Sequence, residues 1–209
     1  MAKILDPKCK QCRREGVKLF LKGEKCFSPK CPIIKRNYPP GIHGPKGRRR
    51  TTEYGTQLRE KQKAKKIYGI LERQFSNYYQ EAMRRSGDTG EILQQLLETR
   101  FDNVIYRSGL ATSRAQARQM VNHGLFLVNG KKVNIPSYGL RPKDEITIKP
   151  EKSESKAFAD LEKRLEKYET PSWIHLDLKE KKVKILNIPT GEELEQTFSP
   201  RLIVEFYSK

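Results

Sequence analysis

Apolar residues are scarce in this chain. They make up 35% of its 209 residues, below the usual globular share, and the mean hydropathy is −0.79. A core can form, but not a large one. No stretch reaches the roughly 18 apolar residues that a membrane span needs. The opening Met1-Ala2-Lys3-Ile4-Leu5-Asp6 has no signal-peptide core. Both absences lead to the expectation of a cytoplasmic protein without a membrane partner. A nucleotide-binding phosphate loop is also missing. Gly41 to Gly47 has the wrong spacing, and Arg48 stands where that loop needs Lys followed by Ser or Thr. After Cys31 there is no further cysteine.

Positive charge is in excess. Charged residues are 33% of the chain, and the formal net charge is +18. Such a charge repels itself in the free protein, and a polyanionic partner relieves the repulsion. Its distribution is uneven: residues 1–50 hold 15 Lys and Arg against 3 Asp and Glu, residues 101–150 hold 8 against 3, and residues 151–209 hold 11 against 12. Contact with a nucleic acid is therefore expected in the first half and again over 101–150. The C-terminal part reads as scaffold or as a face for a protein neighbour.

The four cysteines fall within 23 residues, as Cys9-x2-Cys12-x13-Cys26-x4-Cys31. Two close pairs separated by a loop suit a tetrahedral four-thiolate site. Free buried thiols and disulfides are the alternatives, the latter disfavoured in a reducing compartment. With four protein ligands no position stays open, so the site is expected to be structural. Metal binding would fold a segment too polar to fold alone. Zinc is the default, and a 4Fe-4S cluster is the alternative. The intervening loop carries Arg13, Arg14, Lys18, Lys22 and Lys25, a plausible phosphate-binding surface.

Residues 35–50 hold three prolines and three glycines among cations, which forbids regular structure. This basic arm is expected to be disordered alone and to order along a phosphate backbone. Lys46, Arg48, Arg49 and Arg50 are its expected contacts, because an arginine fork can grip phosphate in two places. His43 reads as RNA-facing or solvated.

Residues 56–68 read as a cationic helix including Arg59 and Lys63, broken at Gly69. A second helix carries Leu71, Phe75, Tyr78, Tyr79 and Ala82 as an apolar stripe, read as core. After a Ser86–Gly90 loop, with Asp88 and Glu91 at capping-box spacing, Leu93, Leu96, Leu97, Phe101, Val104 and Ile105 mark one helix face ending near Gly109. Ser113 and Gln116 form a second candidate capping box, at the start of a helix that Gly124 ends. Asn129-Gly130 signals a β-hairpin, and 144–148 a further strand. Arg114 and Arg118 share a helix face beside Lys131-Lys132, making a compact positive surface suited to folded RNA. Arg107 completes the expected contacts. Phe158, Leu161, Leu165 and Tyr168 read as a helix stripe, Trp173 and His175 as partly buried scaffold, and the stretch after Ser199-Pro200-Arg201 as a final strand.

Several segments resemble the small ribosomal subunit protein four family, in its bacterial four-cysteine form. Cys-Arg-Arg-Glu-Gly at 12–16, Tyr-Pro-Pro-Gly at 38–41, Leu-Arg-Glu-Lys-Gln-Lys at 58–63 and Tyr-Gly-Ile at 68–70 resemble its N-terminal domain. Arg-Phe-Asp-Asn-Val-Ile-Tyr-Arg at 100–107, Thr-Ser-Arg-Ala-Gln-Ala-Arg-Gln at 112–119 and Val-Asn-Gly-Lys-Lys-Val at 128–133 look like its RNA-binding module, and Val-Glu-Phe-Tyr-Ser at 204–208 like its ending. The resemblance implies a primary binder of small-subunit ribosomal RNA that nucleates assembly of the subunit body. It also implies contact with small-subunit protein five and other small-subunit proteins, at an interface affecting decoding accuracy. Family members that repress their own translation, and a position near the messenger RNA entry channel, belong to the same resemblance.

The expected architecture is α+β. A mostly helical N-terminal domain with the metal knuckle and basic arm spans 1–98, a small α+β RNA-binding module spans 99–163, and a C-terminal segment, 164–209, packs back on the first domain. The module also occurs in RNA-modifying enzymes, the main rival. Such an enzyme needs a catalytic domain of well over 100 residues, which nothing here supplies. A DNA-binding metal finger is a second rival, but Pro39 and Pro40 follow the second cysteine pair where its helix would start.

Overall fold

A computed structural model describes residues 6–47, 50–152, 155, 158, 161–165, 168–177 and 180–208, with the side chains of 162 and 163 excepted. The chain forms two compact units, residues 1–94 with 195–209, and residues 95–194.

The first unit opens with α1 (Lys8–Glu15), which ends at Gly16 in the left-handed conformation, φ 78°. Two single-turn helices follow, α2 (Glu24–Phe27) and α3 (Pro32–Lys35). The arm leads through a 3-10 turn at Gly44–Lys46 into α4 (Glu53–Ile67). The Thr52 hydroxyl starts α4 by accepting from the Gly55 amide at 3.2 Å. Next comes α5 (Glu72–Arg84), whose stripe buries Phe75, Tyr79 and Ala82, with Tyr78 half-buried and Leu71 exposed. Asp88 then accepts from the amides of Gly90 and Glu91 at the start of α6 (Thr89–Glu98), whose last residues belong to the second unit.

The chain's end returns to this unit as α10 (Pro200–Tyr207). It is a helix where a strand was expected. Pro200 suits a first helical turn, and Ile203 and Tyr207, four apart, both meet the unit's core. Tyr207 stacks on Tyr79 with ring centres 4.5 Å apart. Polar fasteners add to the apolar seam. The Ser199 amide donates to Glu60 at 3.0 Å, and Gln57 donates to Glu205 at 3.2 Å. Lys61 sits 4.4 Å from the Phe206 ring centre. Glu72 is the hub, accepting from Lys61 at 2.7 Å, Lys65 at 3.0 Å and the Tyr207 hydroxyl at 2.8 Å.

The second unit begins at the end of α6. The single helix face expected from Leu93 to Ile105 is instead two helices. Arg100 is extended (φ −62°, ψ 139°) and bridges Gly139, so α7 (Phe101–Arg107) starts afresh. Arg100 is 1% exposed and Asp102 3%, and the two pair bidentately at 3.0 and 2.8 Å. Then comes α8 (Arg114–Asn122), capped by Ser113, which accepts from the Gln116 amide at 3.3 Å. The Gln116 side chain reaches past Ser113 to the Thr112 amide and hydroxyl, at 2.8 and 2.6 Å.

Strands β1 (Phe126–Val128) and β2 (Lys131–Lys132) form the hairpin. Asn129 and Gly130 both take positive φ, 49° and 76°, as this tight turn requires. With β3 (Glu145–Ile148), β4 (Ile174–Asp177) and β5 (Lys182–Ile185) they build one antiparallel sheet in the order β2-β1-β3-β5-β4. Helix α9 (Leu161–Leu165) lies between β3 and β4 in sequence. The core joins Phe101, Val121, Phe126, Ile146, Trp173 and Val183.

This changes the expected division of the chain. Residues 164–194 belong to the second unit, because β5 pairs with β3 and β4 with β5. Only 195–209 lie with the first unit. Trp173 is fully buried rather than partly so, and His175 is exposed. Of the Phe158–Tyr168 stripe, Leu161 and Leu165 are helical, and Tyr168 lies beyond the helix, 37% exposed.

Burial would raise the Glu72 pKa, but hydrogen bonds from Lys61, Tyr207 and Lys65 overcome it and hold the carboxyl at about 2. A folded pKa below the unfolded value of about 4.3 gives stability that is present above that value and lost as pH falls towards 2. Tyr207→Phe removes one of the three donors. Amide exchange in residues 200–207 should therefore begin to accelerate at a higher pH than in the wild type. Identical acid profiles would show that Glu72 does not hold the helix.

Candidate nucleic-acid interface

The knuckle lies in the first unit. Cys9, Cys12, Cys26 and Cys31 line one small cavity together with Lys8, Leu21, Lys22, Pro32 and Ile33. The Lys22 amide donates to the Cys26 sulfur at 3.4 Å. Burial pushes the Cys12 thiol pKa up, with further upward pressure from charge on the other three cysteines. All four are free thiols. Among the described residues, no group of three or more His, Cys, Asp or Glu side chains is arranged to hold a metal ion. Spacing thus brought the cysteines to one cavity without an assembled metal knuckle.

Around this cavity Arg14 and Lys22 are exposed, and Lys18 is half-buried. Exposed Lys10, Lys25, Lys30 and Lys35 share the same segment. Arg13 differs from the rest. Its Nε donates to the carbonyls of Arg36 and Tyr38 at 3.2 and 3.0 Å, and its Nη2 donates to that of Pro39 at 3.3 Å. Its guanidinium stands 4.8 Å from the Tyr38 ring centre.

The arm is folded where disorder was expected. Gly44 donates to Gly41, Lys46 to His43 and Gly47 to Gly44 in successive tight turns. Gly44 is buried against Pro39, whose carbonyl oxygen an added Cβ would strike. Lys46 and Arg50 are exposed, as is His43. Arg48 and Arg49 lie outside the described residues.

On α4 the expected contacts are ion-paired. Lys63 holds Glu60 at 2.5 Å. Glu15, its side chain wholly buried, accepts from Arg59 at 3.5 Å and also from Lys66.

In the second unit a similar node forms on Glu98, whose side chain is also wholly buried. It accepts two parallel bonds from Arg107, both 3.0 Å, and one from Asn103 at 2.7 Å. Asn103 in turn accepts from Arg114 at 2.7 Å, and Arg114 lies 4.6 Å from the Tyr106 ring centre. Arg107 and Arg114 are thus anchored, with side chains 23% and 11% exposed. Arg118 is half-buried, while Lys131 and Lys132 are exposed. The Lys132 stem passes over Gly124, where an added Cβ would lie 2.8 Å from its Cε. This brings the hairpin cations to the C-terminal end of α8.

Sequence reasoning missed Glu98. It precedes Asn103 and Arg107 by five and nine residues, spacings that no continuous helix places on one face. Only the break at Arg100 brings them together.

The two units therefore carry basic surfaces of the kind that bind folded RNA. Comparisons with known proteins agree. Residues 3–98 match the family described as ribosomal protein S4/S9 N-terminal domain, and residues 99–146 match the S4 domain. Proteins named small ribosomal subunit protein uS4 are similar over their full length and all of this chain. The one from Natranaerobius thermophilus is 49% identical over 209 residues, that from Dictyoglomus turgidum 51% over 212, and that from Thermus thermophilus 46% over 209. The chain belongs to the small ribosomal subunit protein uS4 family.

Removing the Glu98 carboxylate leaves a buried cationic cluster without its anion, which costs about 3 kcal/mol or more. Glu98→Ala should lower urea-unfolding stability by that order. Lys131→Gln, at an exposed site, should change it by less than about 0.5 kcal/mol. Equal effects from the two would remove the distinction between anchored and exposed cations.

Proposed function

We propose that this chain is a primary binder of small-subunit ribosomal RNA that nucleates assembly of the subunit body. As a uS4 family member it is a structural constituent of the small ribosomal subunit, binds ribosomal RNA, is not an enzyme and works in the cytoplasm. The observation that carries the proposal is the set of exposed cations on preformed folds: Arg14, Lys22, Lys46 and Arg50 in one unit, Lys131 and Lys132 in the other. The anchored set, Arg59, Lys63, Arg107 and Arg114, contributes fixed positive charge and shape, and half-buried Lys18 and Arg118 extend it. Arg48 and Arg49 are proposed as contacts from their place in the basic run.

Small-subunit protein five and other small-subunit proteins are its proposed protein partners, with an effect on decoding accuracy. Messenger RNA near the entry channel is a further proposed contact. All three readings rest on the family resemblance.

Cys9, Cys12, Cys26 and Cys31 are the proposed ligands of a structural zinc ion, or alternatively of a 4Fe-4S cluster. Four sulfurs lining one cavity, with a backbone amide directed at one of them, are the donor set either would require. The bound group would supply cross-linking only. The chain's own contribution is to hold Lys22 and its neighbours over a closed loop.

Two measurements test these readings. Affinity for a small-subunit rRNA transcript should fall by about three or more orders of magnitude between 50 and 200 mM salt, if roughly ten phosphates are neutralised. A flat profile would exclude phosphate-dominated binding. Metal analysis of the purified protein should give one zinc per chain or one iron–sulfur cluster, lost in Cys9→Ser with proteolytic opening of the N-terminal segment. A compact, protease-resistant N-terminus without metal would exclude the structural ion.

A further inference from the structure

We infer that Arg13 positions the basic arm: its side chain sets the arm's course before RNA arrives and does not itself ligate phosphate. The inference rests on the proposed binding of RNA by the arm.

Chemistry gives such a fastener a role. Tyr38-Pro39-Pro40 contains two residues without an amide hydrogen, so this stretch cannot close a regular backbone ladder. Its carbonyls need donors from elsewhere. A guanidinium is suited to this, because it presents five donors in a rigid plane. Arg13 delivers two of its nitrogens to three carbonyls, those of Arg36, Tyr38 and Pro39, spanning four residues of the arm. The adjacent Tyr38 ring adds a cation–π contact to the same group.

The anchor point is rigid. Arg13 lies in α1, between buried Cys12 and buried Glu15. Beyond the clamp, the Gly41–Gly44 turn folds back until Gly44 meets Pro39, the residue whose carbonyl Arg13 holds. Lys46 follows at once, in the 3-10 turn, and is exposed. The clamp therefore fixes the direction in which the arm's cations leave α1.

Pre-ordering acts on affinity through the competent fraction. If losing the clamp cuts the ordered population of the arm to about a tenth, apparent affinity falls about tenfold with no contact removed. A phosphate ligand behaves differently. Its loss lowers the slope of log affinity against log salt by about one.

The full-length protein with a small-subunit rRNA transcript distinguishes the two. Arg13→Lys keeps the charge and loses the fork; Arg13→Gln loses both; Lys46→Gln serves as the phosphate-contact reference. Both Arg13 variants should show faster amide exchange confined to residues 36–47 in the free protein. Both should bind about tenfold more weakly, with the wild-type salt slope.

The inference is overturned if Arg13→Gln lowers the slope by about one while exchange in the arm stays at the wild-type level, or if Arg13→Lys behaves as wild type in both measurements. A rise in exchange spread across α4 and α5 overturns it too, since a positioning residue acts on the arm alone. If Lys46→Gln and a variant with Arg48, Arg49 and Arg50 all changed to Gln both leave affinity and slope unchanged, the arm does not bind RNA and the underlying reading fails, while the exchange data still judge the clamp.

Discussion

A chain of net charge +18 repels itself wherever it folds without a polyanion to neutralise it. The structure meets this constraint by gathering cations around a few carboxylates, three of them buried and one, Glu72, half-exposed. Glu15 holds Arg59 and Lys66, Glu72 holds Lys61 and Lys65, Glu98 holds Arg107 with Arg114 nearby, and Asp102 holds Arg100. The Glu15 and Glu98 side chains are wholly buried, and an ion pair away from water is screened little by salt. Each node of one carboxylate and two cations still carries a net positive charge. Repulsion is thus lowered locally without making the surface neutral.

Two kinds of cation result. Those held closely on buried carboxylates, such as Arg100 and Arg107, are fixed in place, so they add fixed charge to the shape of each unit. Those on the surface, such as Lys46, Lys131 and Lys132, keep their freedom and can follow an irregular phosphate backbone. A partner recognised by groove width and phosphate placement is served by both. Of the two wholly buried carboxylates, Glu98 is held through both oxygens by Arg107, and Glu15 through one oxygen by Arg59 and Lys66.

Local chemistry was legible in the sequence; pairing at a distance was not. Asn129-Gly130 requires two positive φ angles and makes a hairpin wherever it falls between apolar runs, so β1 and β2 were readable. Ser113 and Asp88 act on amides three residues away. Phe75, Tyr79 and Ala82 share a face through helical geometry alone. By contrast, β5 joins β3 across the 33 residues 149–181, and no local pattern assigns 164–194 to that sheet. The Glu98 node depends on a helix break at Arg100, which the buried pair with Asp102 and the bridge to Gly139 impose. The arm was misread because its composition suits disorder, and composition does not reveal that Arg13 supplies the donors its prolines lack. The final helix was misread because the short apolar run Leu202-Ile203-Val204-Glu205-Phe206-Tyr207 fits a buried strand as well as two turns of helix. Pro200 and the stacking face of Tyr79 decide it.

The same distinction between local and distant pairing orders the folding of the two units. Residues 95–194 are contiguous, and their core needs nothing from outside that span. The first unit needs α10, whose partners Gln57 and Glu205 lie 148 residues apart. Domains fold as they emerge during synthesis, so the second unit can be complete while the first still lacks the ring of Tyr207 against Phe75 and Tyr79. Until then Glu72 lacks one of its three donors, and the cationic face of α4 is only partly neutralised. The closing segment fastens through hydrogen bonds to Glu60, Gln57 and Glu72 as much as through its aromatic rings. That is the arrangement a chain short of apolar residues has available: it closes its least hydrophobic unit with carboxylates that its excess of lysine and arginine would in any case require.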